Sequence, residues 1–257
     1  MNPTVNEFYH SLADYYNEIF PPNPKTLEFI FSLLKEFSSP THILDIGCAT
    51  GQFAFALSRM APQFHIKAIE PDEKMVEMAA LLFKNYEHNL SIARAGMMDL
   101  PTLFPSNSFH SILCLGNTLV HLQSHQEIRT FFEYTHDSLD ENGIFIMQIV
   151  NYFGIQPHQI HTLPLIQTPL VSFSRHYEYI ESLHKIRFFT RLIPNNSEPQ
   201  TRNDNIYENE LYLYPLQYNE ISQICQKVGF KSINIYGNFN REPWIDSSPA
   251  LILTARK

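Results

Sequence analysis

The chain reads as an α/β protein, a mostly parallel sheet with helices on both faces. Two observations carry that reading. Short apolar runs of strand length alternate with longer runs of helical period over residues 41–150, and the same alternation returns at 216–256. A chain of 257 residues that is 44% hydrophobic and 17% charged also has enough apolar surface for a sizeable core.

Residues 4–20 read as one helix, stopped by Pro21-Pro22-Asn23-Pro24. A second helix runs from Pro24 to about Phe37, with Leu27, Ile30, Phe31, Leu34 and Phe37 on one face. The strand candidates are His42–Ile46, Phe64–Glu70, Leu90–Ala93, Phe109–Leu115 and Gly143–Val150. Helices are expected between them at about 51–60, 73–85 and 124–139, the last with Ile128, Phe131, Phe132, Thr135 and Leu139 in one stripe. Right-handed crossovers then bring the strand carboxyl ends, and with them any ligand crevice, to one edge.

The pattern changes after Asn151. Residues 152–208 hold two β-rich runs, Leu170–Ile180 and His184–Ile193, expected as a hairpin turning near Glu181-Ser182. The polar tract Pro194–Asn205 reads as a loop, and 216–228 as a helix followed by strands at 231–237 and 249–256. The expected division is a sheet domain of 1–151 with 209–257, including the amino-terminal helices, and a β-rich insertion at 152–208 acting as a substrate cap.

Eighteen Lys and Arg against 26 Asp and Glu give a net charge of −8, with no basic run, which speaks against nucleic-acid binding. Cys48, Cys114 and Cys225 stand far apart in apolar runs, as reduced thiols of a cytoplasmic protein would, with neither a disulfide framework nor zinc spacing. There is no amino-terminal signal pattern, and no apolar stretch reaches the ~20 residues that cross a membrane. His121 with His125, and His158 with His161, lack a third ligand in an evident motif, so no metal is expected. The oligomeric state is not legible.

The sharpest local signal is His42-Ile-Leu-Asp45-Ile-Gly47-Cys48-Ala49-Thr-Gly51-Gln-Phe, an apolar strand with an acid, a glycine-rich turn and a helix start. Gly47 and Gly51 let the backbone turn sharply and approach a ligand that a Cβ would block. The next strand ends in Glu70-Pro71, placed to accept hydrogen bonds from ribose hydroxyls. The third exits through Ala95-Gly-Met-Met98-Asp99, where a carboxylate can receive an adenine amino group. Three acids at successive strand ends are hard to assign to core packing. A P-loop would need Gly-Lys-Ser/Thr where Gly51-Gln52-Phe53 stands. A buried Asp45 suits an ammonium or sulfonium charge better than a pyrophosphate, so the chemistry fits a cationic nucleoside.

At these residues the chain resembles the class I S-adenosylmethionine-dependent methyltransferases. The resemblance spans roughly 40–150 and, more weakly, the terminal helix and strands. It implies a Rossmann-like sheet of seven strands with the last antiparallel, and S-adenosyl-L-methionine as cofactor. It implies further that Asp45, Gly47, Cys48, Ala49 and Gly51 surround the methionine part, that Glu70 and Pro71 hold the ribose, and that Met98 and Asp99 hold the adenine. Leu115 and Gly116 at the fourth strand's exit complete that set. The one departure is Ala49 at the family's middle glycine, one added methyl.

The string Gly116-Asn117-x-x-x-His121-Leu122, and Asp14-Tyr15-Tyr16-Asn17 near the start, look similar to small-molecule N-methyltransferases, including those acting on glycine and sarcosine. That likeness implies a small-molecule acceptor and places Tyr15 and Tyr16 against the cofactor. Asn117 is a candidate to orient the donor methyl or the acceptor, and His121 is a candidate base, since its reference pKa is ~6.5. Asn151 beyond the fifth strand, Arg241 and Trp244 in the turn 237–248, and Arg175 in the insertion are candidate acceptor contacts; Gln148 also approaches that edge. Two rival readings stay open at this point: a cofactor-binding module without turnover, and a nicotinamide oxidoreductase with the same strand-turn-helix layout.

Overall fold

A computed structural model describes residues 3–195 and 206–257. The chain opens with α1 (Pro3–Leu12), a 3-10 turn (Ala13–Tyr15) and α2 (Tyr16–Ile19), where one helix was expected. The Ser11 hydroxyl donates to the Phe8 carbonyl at 2.7 Å, a bond within the helix of the kind that bends helices.

The sheet unit begins with α3 (Pro24–Leu34), its start capped by the Asn23 side chain, which accepts from the Lys25 N–H at 2.9 Å. Then follow β1 (Thr41–Ile46), α4 (Gln52–Met60), β2 (Phe64–Glu70), α5 (Glu73–Phe83) and β3 (Leu90–Arg94). After a 3-10 turn (Met97–Asp99) come α6 (Leu100–Leu103), β4 (Phe109–Cys114), a 3-10 turn (Thr118–His121), α7 (His125–Ser138) and β5 (Leu139–Val150). β5 starts earlier than its apolar run because Leu139 already pairs with Phe109, and a register shift absorbs the polar Asp-Glu-Asn-Gly tract.

The β-rich run holds β6 (Ile160–Thr162), β7 (Ile166–Gln167), β8 (Val171–Ile180), β9 (Lys185–Pro194) and β10 (Tyr207–Leu213). The expected hairpin is β8–β9, closed by a 3-10 turn at Glu181–Leu183 and left-handed His184. β10 has no counterpart in the sequence reading. Of the tract Pro194–Asn205, residues 196–205 lie outside the described residues. The chain then returns through α8 (Tyr218–Val228), β11 (Ser232–Tyr236) and β12 (Ala250–Arg256).

Among the described residues the main sheet has seven strands in the order β11-β12-β5-β4-β1-β2-β3. β12 runs antiparallel to both neighbours while β1 to β5 are parallel, as the resemblance implied. One face packs Phe29 and Ile30 of α3, Leu57 of α4 and Phe83 of α5 on Ile43, Ile66, Ile144, Ile146 and Ile252. On the other, Phe132 of α7 meets Phe145 at 5.4 Å, and Phe230 after α8 stacks on Phe145 at 6.3 Å.

The chain separates into two compact units. One is Pro22–Phe153 with Leu216–Lys257; the other joins the chain up to Pro21 to Gly154–Pro215. The amino-terminal helices thus belong with the β-rich unit, whereas the sequence reading placed them with the main sheet. Within that unit Phe8 of α1 packs on Phe188 at 5.7 Å, and Asn209 of β10 donates to the Ser11 hydroxyl at 2.9 Å.

Candidate active site

The main sheet reverses its direction of growth at β1, whose neighbours are β2 and β4. Such a switch point leaves a crevice beyond the strand carboxyl ends. The segment leaving β1 is held open as a loop by three residues of positive φ, Gly47 at 69°, Ala49 at 49° and Gly51 at 76°. The Gly47 and Cys48 N–H groups both donate to the Ile69 carbonyl, at 2.8 and 3.2 Å, which fixes the loop on the end of β2.

Both glycines stand where neighbouring side chains press on the loop. A Cβ on Gly47 would collide with the Thr118 side chain, and one on Gly51 would lie 2.8 Å from Phe83 Cζ. Their missing side chains make room for protein packed against the loop. Ala49 is more than one added methyl, since an L-residue held in the left-handed region costs about 1–2 kcal/mol.

Buried carboxyls line this edge. Glu70 is 6% exposed; its Oε2 accepts from the Ala49 N–H at 3.0 Å and its Oε1 from the Asp72 N–H at 3.1 Å. A carboxylate offers about four acceptor positions, so two remain for ribose hydroxyls. Asp45 is 4% exposed, and its Oδ2 makes no hydrogen bond among the described residues. Burial pushes both groups up to about 7; for Glu70 the two backbone N–H bonds oppose the shift and the charges of Asp72 and Asp45 add to it. The Cys48 thiol beside them is driven well above its usual value, by burial first and then by Asp45 and Glu70, which makes it inert. Asp72, which the sequence reading passed over, is buried and caps α5 by accepting from the Met75 N–H at 2.9 Å. Its signal was present as an acid just before a predicted helix start.

Asp99 is exposed and turns its Oδ2 back to the Gly96 N–H at 2.8 Å, with Met98 beside it in the same 3-10 turn. Pro71 follows Glu70 directly, and its carbonyl accepts from Arg94 Nε at 3.3 Å. Past Leu115, Gly116 and Asn117 take φ of 64° and 71°. No atom lies within 4 Å of the place a Gly116 Cβ would occupy.

Several candidate residues are engaged by the chain itself. Asn117 is engaged by its own chain: Nδ2 donates to the Tyr152 hydroxyl at 2.8 Å, and Oδ1 accepts from the Val150 N–H at 3.0 Å. It clamps β4 to β5 instead of presenting a free amide. Burial lowers His121 to about 4, so its imidazole is neutral and a feeble proton acceptor near neutral pH. Asn151 Nδ2 donates to the Asp246 and Ser248 carbonyls, each at 2.9 Å, and so braces the turn 237–248. Arg241 donates to the Ser32 hydroxyl at 2.6 Å and lies over the Phe29 ring. Trp244 stacks on Tyr218 with centroids 4.8 Å apart, and its buried indole Nε1 makes no hydrogen bond among the described residues.

Tyr15, Tyr16 and Arg175 belong to the β-rich unit. Arg175 donates to the Pro164 carbonyl at 2.9 Å there, lies over Phe173, and has its pKa lowered by burial. Among the described residues no three His, Cys, Asp or Glu side chains gather as a metal site would need, and no helix is long and apolar enough to cross a membrane.

A switch-point crevice with buried acids, an unpartnered Asp45 oxygen and spare acceptor positions on Glu70 fits a cationic nucleoside. That defines an α/β enzyme built around such a ligand. The family model of the methyltransferase domain matches residues 43–143. A glycine/sarcosine N-methyltransferase of Aphanothece halophytica is 22% identical over 98% of this chain and 90% of its own. Among solved structures, the CcbJ methyltransferase of Streptomyces caelestis aligns over 96% of this chain and 97% of that one, with a TM-score of 0.78 and 16% identity. The S-adenosylmethionine-bound CalS10, an amino pentose methyltransferase of Micromonospora echinaspora, aligns over 100% and 93%, with a TM-score of 0.62 and 15% identity. The methyltransferase match over residues 43–143 and the relatives along nearly the whole chain mark it as an S-adenosylmethionine-dependent methyltransferase.

Proposed function

We propose that this enzyme transfers the methyl group of S-adenosylmethionine to a nitrogen of a small amine by in-line displacement. The unpartnered Asp45 Oδ2, buried at the switch point, is the observation that carries the donor side of this reading, because it supplies a counter-charge for a cation. The nitrogen is supported by the relative over 98% of the chain, whose name is an N-methyltransferase of glycine and sarcosine, and by the amino-sugar methyltransferase among the structural neighbours.

The donor arrives already activated at its sulfonium methyl. What remains for the protein is to bind, to align and to exclude water. In this reading Glu70 accepts from the ribose hydroxyls, Asp99 and the Met98 backbone take the adenine, and the Gly47–Gly51 and Leu115–Gly116 turns enclose the methionine part. An amine that arrives neutral needs no catalytic base, which agrees with a weakly basic His121. We place the enzyme in the cytoplasm on its buried free thiols Cys48, Cys114 and Cys225.

The test is a panel of amines, including glycine, sarcosine and amino sugars, set beside phenols and carboxylates. S-adenosylhomocysteine release and product mass are the readouts. Turnover restricted to amines is expected; turnover restricted to oxygen acceptors would overturn the nitrogen assignment.

A further inference from the structure

The turn that leaves β4 is bound to β5 more tightly than strand pairing requires. The regular ladder ends at Cys114 opposite Met147. Beyond it, Gly116 and Asn117 both take left-handed φ, which swings their N–H groups out of ladder geometry. Two groups of β5 collect them. The Gly116 N–H donates to the Gln148 side-chain Oε1 at 2.9 Å, and the Asn117 N–H to the Gln148 carbonyl at 3.1 Å. The Asn117 amide is fixed in turn by the Val150 N–H and by the buried Tyr152 hydroxyl.

The fixed turn presses directly on the donor loop. Thr118, the next residue, fills the space beside Gly47 where a Cβ would stand, and its hydroxyl donates to the Leu115 carbonyl at 2.7 Å. Gly116, by contrast, faces open space. One face of the turn therefore sets the Gly47 loop, and the other is left clear at the strand edge where the donor binds.

We infer that Gln148 and Tyr152 are positioning residues for donor binding, acting through the Gly116–Asn117 turn and touching no ligand themselves. Gln148 lies in β5 at a position whose same-face neighbours, Ile144 and Ile146, are core residues. The Gly116 N–H is exposed and could bond to water instead, so what the Gln148 side chain adds is a fixed place for the turn. This rests on the donor site described above but not on the identity of the acceptor.

The experiment is calorimetric titration of the full chain with S-adenosylmethionine, alongside thermal unfolding. Gln148→Leu frees the turn from β5 and is expected to raise Kd by about threefold to tenfold, the range of one net hydrogen bond. Gln148→Glu keeps the accepting oxygen and should return Kd to within about threefold of wild type, whereas a merely space-filling role would leave Gln148→Leu, of similar volume, near wild type as well. Tyr152→Phe keeps the ring and should raise Kd about threefold, so it decides the matter if Gln148→Leu does not fold. Wild-type affinity in both Gln148→Leu and Tyr152→Phe overturns the inference, as does a Gln148→Glu variant as weak as Gln148→Leu. Failure of wild type to methylate amines would strike the proposed acceptor and leave these donor affinities readable.

Discussion

The backbone N–H of Ala49 and the Oε2 of Glu70 are joined at 3.0 Å, so the loop after β1 and the acid after β2 form one object. Glu70 does this while its other oxygen holds the Asp72 N–H at the start of α5. One carboxylate thus fixes a donor loop, a helix start and a pair of free acceptor positions.

Removing it should act on both binding and stability. Glu70→Ala is expected to weaken S-adenosylmethionine binding by about 1–3 kcal/mol, ~5- to 150-fold in Kd, and to lower the unfolding temperature because two buried N–H groups lose their partner. Glu70→Gln keeps one accepting oxygen and should fall between Ala and wild type in both measurements. Unchanged affinity in the Ala variant would reject the ribose role.

Opposite substitutions within the same loop should have opposite signs. Ala49→Gly removes the strain of a left-handed alanine and is expected to stabilise by up to ~1 kcal/mol after the extra unfolded-state entropy of glycine is counted. Gly47→Ala adds strain at φ of 69° and a clash with Thr118, and should destabilise by at least ~2 kcal/mol. Urea unfolding of both variants checks the pair; destabilisation by Ala49→Gly would show that the alanine methyl packs better than its backbone suffers.

His121 is neutral across the working range because burial lowers it to about 4. His121→Asn is therefore expected to leave the pH profile of kcat unchanged in shape between pH 6 and 8. A limb near pH 6.5 that vanishes in the variant would restore the histidine as base.

The main sheet was legible because each strand is an apolar run ending at a turn signal, and parallel β1, buried on both faces, needs no alternation to be seen. The two buried acids stand out for a related reason: Asp45 and Glu70 are charges at the ends of runs that otherwise bury. Roles set by partners far along the chain were not legible. Asn117 reads as a candidate to orient the donor methyl or the acceptor, and nothing local announces that Tyr152, 35 residues on, holds its amide. Asn151 reads as a candidate acceptor contact, and its bonds to the Asp246 and Ser248 carbonyls could not be read from the sequence. β10 was missed because its Glu-Asn-Glu centre looks like loop. It is recovered only by pairing with β9, where Glu210 meets Arg187 at 2.9 Å. Which rim residue serves as a brace is decided by tertiary contacts, to which local spacing is blind.

The buried acids should also make donor binding depend on pH. Asp45 and Glu70 are raised from 3.8 and 4.5 to about 7, so the free protein favours their neutral forms. Their contribution to stability is complete below about pH 4 and is lost as pH rises through 7, where charge is forced into a buried site. A cation bound beside them reverses the preference, because it stabilises the charged carboxylates, and binding must then release protons below pH 7. Affinity for S-adenosylmethionine is expected to rise between pH 5.5 and 7.5, by up to about tenfold per pH unit for each proton released, and to level off above. Calorimetry in two buffers of different ionisation enthalpy at pH 6.5 counts the protons directly. Asp45→Asn should remove part of that release and flatten the curve. The Asp72 charge raises Glu70, so Asp72→Asn should move the rise in affinity to lower pH. An affinity independent of pH over this range would mean that the carboxyls stay neutral with the donor bound, and that the counter-charge lies elsewhere.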